Sequence, residues 1–416
     1  MPLKTMPRRA VHASLIAVIV SLSTRTTSAQ QSRDVHPSDY LYLWSAAADS
    51  VSPDFLAVFD VREAPGRYGK LVTTVPVPGR ANGPHHTEHV LAADDQFFVN
   101  GFHSGQSFIF DLRAPAAPRI VKQFGDVRGF MHPHAFWRLP NGNVLATFQM
   151  QHQGSTVLPG GIAEITPDGT VLRTSSAYEP GVHPAIRPYS AAIVPSLDRI
   201  VTTTSDMDGR DSTRFLQLWR LSDFKLLRTF ALPDGPRGDE ALRTAEPRVL
   251  ADGKTVLVST FNCGLYLLEG IGTDAPKGRL VASFPRKPGV NCAVPVVSGH
   301  YYIITVPSSN AVVSLDISNP AMPREVSRIT LGPDDVPHWI GIEPNQRRVV
   351  ITGYRSLKTR VLLANFDSST GKLTLDERFR AEGSSEPGFR MEHIAWPHGG
   401  TYDAIPHGAV FSRPRP

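Results

Sequence analysis

The chain has 416 residues, 41% of them hydrophobic and 19% charged, which is enough apolar material to bury a sizeable core. Its formal net charge is +5, but residues 1–29 carry four basic side chains and no acidic ones, so removing them leaves +1. The remaining charge gives no indication of a nucleic-acid partner or an anionic membrane surface. Two cysteines are too few for a disulfide-dense scaffold or a cysteine-rich zinc site.

The N-terminus has the pattern of a cleavable signal peptide. Basic residues precede an apolar run over residues 10–22, and small residues follow at 27–29. The apolar run is short for a membrane span, although a retained N-terminal anchor is the alternative. We therefore predict a signal peptide at 1–29, a short leader at 30–40, and a periplasmic or secreted protein with no integral membrane segment after cleavage. Arg8 and Arg9 leave the general secretory and twin-arginine export routes both open.

The rest of the chain is typical of an all-β protein. Short β-branched and aromatic runs are separated by Gly, Pro, Asn and Asp, and no long helical pattern appears. The clearest runs are the segments 54–61, 96–101, 107–112, 143–150, 199–205, 255–261, 301–306 and 347–353.

One internal repeat indicates the architecture. The segment SFIFDLRAPAAPR (107–119) matches AVVSLDISNPAMPR (311–324), with Asp111 and Asp316 in the same register. The 205 residues between these aspartates correspond to five repeats of about 41 residues, within the usual length of a propeller blade. Repeats of this length with four strands each predict a β-propeller. We expect Asp111 and Asp316 to occupy equivalent places in different blades.

The predicted propeller has seven blades and covers residues 41–416, with eight blades as the alternative count. Residues 53–77 are expected to share a sheet with 391–412, which would close the ring by joining the two ends of the chain. The strands lining the central channel are predicted to begin near His86, His134, Tyr189, Glu246, Asn291, His338 and His393.

Histidines recur at the starts of these channel strands. First strands of distant blades meet at the axis of a propeller, so their side chains converge, and neutral imidazole is a common ligand of copper, iron and zinc. The sequence therefore predicts a metal site in the channel. Its candidate ligands are His85, His86, His134, His338 and His393.

Four further residues are candidates for orienting the ligands rather than binding the metal. Carboxylates beside metal-bound histidines commonly hold the imidazole ring in place. The four are Glu88, Glu246, Glu392 and His132. The alternative is that the channel histidines are structural and bond only to water and backbone.

Cys263 and Cys292 are separated by 29 residues, on what we interpret as neighbouring blades. In an oxidising compartment they could form one disulfide, provided that their Cα atoms lie within about 7 Å. Two buried free thiols are the favoured interpretation from the sequence.

The motifs together resemble the selenium-binding protein and methanethiol oxidase family. The resemblance runs over roughly residues 54–400 and rests on the double histidine at 85–86, the repeat segments, HPHAF (132–136) and HIAWPHGG (393–400). It implies a seven-bladed propeller whose oxidase members hold copper with histidines, and it matches His85, His86, His134 and His393. The family's cysteine-rich N-terminal element and its acidic, tryptophan-containing tail are absent.

Two functions of different classes follow. The first is a copper-dependent oxidase of a small, sulfur-containing or other organic compound, with non-haem iron as the alternative metal. The second is a non-catalytic propeller that binds a ligand or protein partner. The expected partner is a small-molecule substrate. The sequence identifies no catalytic residue, and it predicts neither the substrate nor the oligomeric state.

Overall fold

The computed structural model describes Met1 and residues 36–414, except 154–155, 183–185, 208–211, 288–289, 293 and 354–358. The predicted signal peptide and most of the leader therefore lie outside the described residues. Almost every regular element is a β-strand; two single-turn 3₁₀ helices, Pro195–Leu197 and Pro307–Ser309, are the exceptions within the described residues. None of the residues described forms a helix long and apolar enough to cross a bilayer.

The first four blades follow one another along the chain. Blade 1 contains β1 (Tyr40–Ala47), β2 (Phe55–Asp60) and β3 (Lys70–Pro76). Blade 2 contains β4 (Pro84–Thr87), β5 (Gln96–Gly101), β6 (Gln106–Asp111) and β7 (Arg119–Phe124). Blade 3 contains β8 (Phe130–Arg138), β9 (Val144–Gln153), β10 (Thr156–Ile165) and β11 (Val171–Ser176). Blade 4 contains β12 (Pro188–Val194), β13 (Arg199–Thr204), β14 (Phe215–Arg220) and β15 (Leu226–Ala231).

Three more blades complete the set. Blade 5 contains β16 (Thr244–Val249), β17 (Val256–Thr260), β18 (Gly264–Glu269) and β19 (Lys277–Ser283). Blade 6 contains β20 (Pro295–Ser298), β21 (Tyr301–Val306), β22 (Ala311–Asp316) and β23 (Arg324–Thr330). Blade 7 contains β24 (Pro337–Ile342), β25 (Arg348–Gly353), β26 (Arg360–Asp367), β27 (Lys372–Leu375) and the short β28 (Phe389–Arg390). A hairpin of β29 (Ile394–Ala395) and β30 (Thr401–Tyr402) precedes the last strand, β31 (Ala404–Phe411).

The sheets form a closed ring, which confirms the predicted seven-bladed propeller. Each blade is an antiparallel meander, and the strands β31, β4, β8, β12, β16, β20 and β24 contact one another in that circular order. Burial follows this arrangement: β4 is buried throughout, whereas the outermost strand of the same blade, β7, is mostly exposed. These seven strands therefore line the channel. Within a blade, the innermost strand is the most buried and the outermost strand is the most exposed.

The two copies of the internal repeat occupy equivalent places in different blades, as predicted, but they lie four blades apart rather than five. Asp111 and Asp316 both end the third strand of a blade, and each carboxylate pairs with the arginine eight residues later, Arg119 or Arg324. The copies lie in blades 2 and 6, so 205 residues span four blades of about 51 residues, not five of 41. Longer connections account for the difference.

Ring closure joins the two ends of the chain in blade 1, whose sheet has the order β3-β2-β1-β31. Residues 55–60 and 70–76 share this sheet with 404–411, as predicted. The direct partner of β31, however, is β1, with Leu41 opposite Phe411 and Ala47 opposite Ala404. Ser38, just before β1, is also buried and donates its hydroxyl to the carbonyl of Ser412.

Cys263 and Cys292 form a disulfide with Cα atoms 5.0 Å apart, so the expectation of two free thiols is wrong. The backbone explains the proximity. Cys263 adopts a left-handed conformation (φ 66°) after β17, and the amide of Cys292 donates to the carbonyl of Phe261. This contact brings the segment before β20 beside the end of β17.

The disulfide closes a loop between blades 5 and 6, and removing it should weaken the fold. We expect the double substitution Cys263→Ala and Cys292→Ala to lower the free energy of unfolding by about 3 kcal/mol, the usual effect of opening a loop of this length. Urea denaturation of the purified protein measures the difference, with wild type under reducing conditions as the matched comparison. An unchanged midpoint in both would contradict the expectation.

Candidate metal centre

Six of the seven channel strands contain a β-bulge, and the polar channel residues lie at these bulges. In each, the pairing register with the neighbouring strand slips by one residue, which leaves an extra residue facing the channel. The bulges contain His85 and His86, His134, Tyr189 and Ser190, Glu246, His338, and His407. The channel strand of blade 6, β20, pairs without a slip.

Side chains from the neighbouring blade hold the bulges in place. Asn100 on β5 donates to the carbonyls of Pro133 and His134, and Thr147 on β9 donates to the carbonyl of Tyr189. In the same way, the hydroxyl of Thr305 donates to the carbonyl of His338, and the hydroxyl of Thr352 donates to the carbonyl of His407. A polar residue that follows an apolar run in the second strand of a blade was therefore a signal for the site.

The bulge in β4 turns both members of the double histidine toward the channel. In a regular strand His85 and His86 would face opposite sides. Instead their rings stack, with centroids 4.6 Å apart and planes 6° from parallel. The amide of His85 donates to the side chain of Asn100, which stabilises the extra residue.

Five imidazoles from four blades converge in the channel. The ring centroid of His85 lies 4.7 Å from that of His134 and 4.1 Å from that of His407. The ring centroids of His338 and His407 are 4.8 Å apart. Two overlapping trios, His85–His86–His134 and His85–His338–His407, place one possible ligand atom from each residue within 4.8 Å of the others. Four of the five predicted ligands are therefore brought together. Their role as metal ligands stays a prediction.

The fifth predicted ligand, His393, lies outside the histidine cluster, which corrects its predicted position at the start of a channel strand. Its side chain is 89% exposed, and its Nδ1 lies 2.9 Å from a carboxylate oxygen of Asp403. His393 directly precedes the β29–β30 hairpin, which pairs with no blade. The C-terminal channel strand is β31, and His407 occupies the position expected for His393.

His407 directly precedes Gly408, which lies where β31 approaches the neighbouring channel strand. A Cβ atom at position 408 would lie 2.5 Å from the Thr87 side chain of the next channel strand. Only glycine therefore permits the close approach of β31 to β4 beside the cluster.

Glu246 lies next to the cluster, as predicted for an orienting residue. One carboxylate oxygen lies 3.7 Å from Nδ1 of His86, and the other accepts hydrogen bonds from Ser190 and Arg248. Arg248 also contacts His89, which is stacked between Trp137 and Trp339. His86, His89 and Glu246 form a third buried group that extends the histidine cluster along the channel.

The other three predicted orienting residues do not face the cluster. Glu88 follows the end of β4 and pairs with Arg138 at 2.6 Å; burial raises its pKa to about 7. His132 has a left-handed backbone, and its Nδ1 lies 3.0 Å from the carbonyl of Phe102. Glu392 accepts a hydrogen bond from the amide of Thr359. In a regular strand Glu88 would face the same side as His86. The bulge between Pro84 and Thr87 breaks that alternation of side chains, so Glu88 faces away from the cluster.

Four of the five clustered imidazoles have pKa values that keep them neutral. Burial lowers the pKa of His134 to about 3. Burial and the neighbouring histidines likewise lower the pKa of His85, His86 and His407 well below 6.5. Neutral imidazole keeps the lone pair that a metal requires.

His134 shows most clearly which nitrogen carries that lone pair. Its Nδ1 lies 2.7 Å from the carbonyl of Tyr189, and a carbonyl can only accept, so Nδ1 carries the proton. Nε2 is then the acceptor, and it is buried without a hydrogen-bond partner among the residues described. An unsatisfied buried acceptor is costly unless it binds something.

A cavity of about 690 Å³ connects the cluster with one end of the channel. His85 and His338 form part of its wall, together with apolar side chains such as Phe102 and Phe261. Its volume is within the range of small-molecule sites.

The fold and these residues define a seven-bladed β-propeller with a buried histidine cluster that could hold a metal. No protein-family model matches the chain. The chain is 31% identical over 128 residues to a methanethiol oxidase of Hyphomicrobium sp., a match covering 29% of this chain and 28% of the relative. It is 28% identical over 146 residues to a methanethiol oxidase of Ruegeria pomeroyi, covering 33% and 32%. These homologues, matched over less than a third of their own length, confirm the resemblance to the methanethiol oxidase and selenium-binding protein family.

Solved structures support the fold. A hypothetical selenium-binding protein from Sulfolobus tokodaii superposes with a TM-score of 0.73 at 18% identity, covering 91% of this chain and 94% of that one. The periplasmic gluconolactonase of Pseudomonas aeruginosa superposes with a TM-score of 0.60 at 14% identity, covering 90% and 99%. At these identities the similarity establishes the propeller architecture alone.

Proposed function

We propose that this protein is a copper-dependent oxidase of a small thiol. The observation that carries the proposal is the convergence of His85, His86, His134, His338 and His407 at the channel axis. The partial identity to two methanethiol oxidases supplies the substrate class.

The donor set fits copper. Imidazole suits copper and iron, and affinity for divalent metals rises along the first row to copper. Burial lowers the pKa of His85, His86, His134 and His407 and so keeps these four rings neutral. Nε2 of His134 has its lone pair available. When bound, a redox metal would supply electron transfer and an open position for a sulfur ligand. Iron is the alternative metal.

The surrounding residues supply access and orientation. The cavity gives a small thiol a route to His85 and His338. Glu246 lies beside His86 and is itself fixed by Arg248 and Ser190, so it would limit rotation of the ring. The histidines would hold the metal at a buried position, since His86, His134 and His407 are almost fully inaccessible to solvent.

Export to the periplasm or beyond is part of the proposal. The signal-peptide pattern at residues 1–29 is its basis, and the disulfide between Cys263 and Cys292 supports it. Disulfides persist mainly in oxidising compartments.

The test is metal analysis coupled to turnover. Protein exported to the periplasm is expected to contain about one copper per chain and to consume methanethiol, and removal of the metal by a chelator should abolish consumption until copper is restored. If iron rather than copper restores methanethiol consumption to the metal-free protein, iron is the metal. Protein that binds neither metal would contradict the proposal and favour a non-catalytic binding propeller.

A further inference from the structure

Tyr189 connects two histidines of the cluster from a blade that supplies none of the five. It lies at the bulge of β12 in blade 4 and is fully buried. Its backbone carbonyl accepts from Nδ1 of His134 at 2.7 Å, and its hydroxyl lies 3.2 Å from Nε2 of His86. One residue therefore contacts two candidate ligands through different atoms.

We infer that Tyr189 is a positioning residue that sets the orientation and protonation site of both imidazoles. The inference rests on the metal-binding function proposed above. The carbonyl fixes the proton of His134 on Nδ1 and leaves Nε2 for the metal. For His86 to keep a lone pair for a metal, its Nε2 must carry the proton and donate to the phenol oxygen of Tyr189, which leaves Nδ1 as the ligand atom.

The contacts around Tyr189 hold it rigidly. Thr147 donates a second hydrogen bond to the same carbonyl at 2.9 Å, so the acceptor of His134 cannot move freely. The ring centroid of Tyr189 lies 3.8 Å from that of His134 and 5.3 Å from that of His86. On the other side Phe261 packs edge-on at 5.2 Å. The phenol is thus fixed between the cluster and a wall residue of the cavity.

The role differs from that of Glu246. The carboxylate of Glu246 lies 3.7 Å from Nδ1 of His86, beyond hydrogen-bond distance, whereas the Tyr189 hydroxyl is within it. Partners of metal-bound histidines typically contribute 10–100-fold to metal affinity. Loss of the hydroxyl should therefore weaken and distort metal binding without removing a ligand.

The experiment compares Tyr189→Phe with wild type in titrations of the metal-free protein with Cu²⁺ alone and with Co²⁺ alone. We expect copper to bind 10–100-fold more weakly, with the same stoichiometry, and the visible spectrum of the cobalt form to shift because the His86 ring reorients. Tyr266→Phe is the matched control: its hydroxyl donates to the carbonyl of Pro233 at 3.0 Å in blade 5, outside the cluster. The control should leave both readouts unchanged.

Wild-type affinity together with an unshifted cobalt spectrum in Tyr189→Phe overturns the inference. If Tyr189→Phe does not fold, Thr147→Val replaces it. This variant loses the hydrogen bond from Thr147 to the Tyr189 carbonyl, which also accepts from His134, so the cobalt spectrum should shift. An unshifted spectrum overturns the inference. A wild-type protein that binds neither metal instead contradicts the proposed function, so the two failures are distinguishable.

Discussion

Replacing His134 with alanine is expected to reduce copper binding from about one equivalent per chain to none, while the propeller remains folded. His134 offers a lone pair on the buried Nε2, and its other nitrogen is fixed by the carbonyl of Tyr189. Removing it takes away one of three imidazoles in the trio with His85 and His86. The fold should survive because the large hydrophobic clusters lie between blades, outside the histidine cluster.

The measurement is metal content after dialysis, with circular dichroism as the check on folding. His393→Ala is the matched control, since it removes a histidine whose side chain is 89% exposed and paired with Asp403. It should retain full copper content. Copper retained by His134→Ala would show that the metal does not require the trio that contains His134, and equal loss from both variants would show that the loss is not specific to the cluster.

Much of the fold was predictable because propeller blades repeat local patterns. The matched segments around Asp111 and Asp316 encode the same corner, in which the aspartate pairs with the arginine eight residues later. The spacing of blades was less predictable. Connections such as residues 48–54 and 232–243 vary in length, so a distance of 205 residues did not determine how many blades it spans.

The site was predictable where a histidine occurs on a strand that begins a blade, as for His86, His134 and His338. His393 was wrong because a short strand-like run, HIAW, precedes the true closing strand, and local β-propensity does not distinguish a side hairpin from a channel strand. The role of Tyr189 was missed because it depends on a backbone carbonyl. Contacts of that kind depend on how the blades pack.

The same blade geometry explains the disulfide. A 29-residue separation alone allows a wide range of distances between Cys263 and Cys292. The bond became apparent only when the end of β17 and the segment before β20 were placed side by side, through the hydrogen bond from Cys292 to Phe261. Contacts between adjacent blades carry the information that sequence spacing lacks.

The metal-free protein is expected to lose stability steeply as the pH falls below about 6.5. Burial lowers the pKa of five buried histidines, and of the partly buried His398, in the folded protein, so between those values and 6.5 the unfolded chain binds more protons than the folded one. The five are His85, His86, His89, His134 and His407. Stability contributed by these groups is present above pH 6.5 and is lost as the pH falls.

Three buried carboxyl groups oppose this effect. Burial raises the pKa of Glu88 to about 7 and also raises those of Glu246 and Asp54, so the folded state holds protons that the unfolded state has lost. More histidines than carboxyl groups have pKa values shifted by burial, so the net effect is a loss of stability as the pH falls. Each proton of net difference corresponds to about 1.4 kcal/mol per pH unit.

Urea denaturation of the metal-free protein between pH 8 and pH 5 measures this slope. A typical domain has about 5–15 kcal/mol of stability, so the urea midpoint is expected to fall clearly between pH 6.5 and pH 5. The double variant His85→Asn and His407→Asn should have a shallower slope because two proton-binding differences are removed, whereas His393→Ala should match wild type. A slope unaffected by the double variant would mean that the acid sensitivity arises outside the cluster. Copper should raise the wild-type stability at every pH in this range without changing the slope, because the folded histidines are already neutral and the metal binds the folded state.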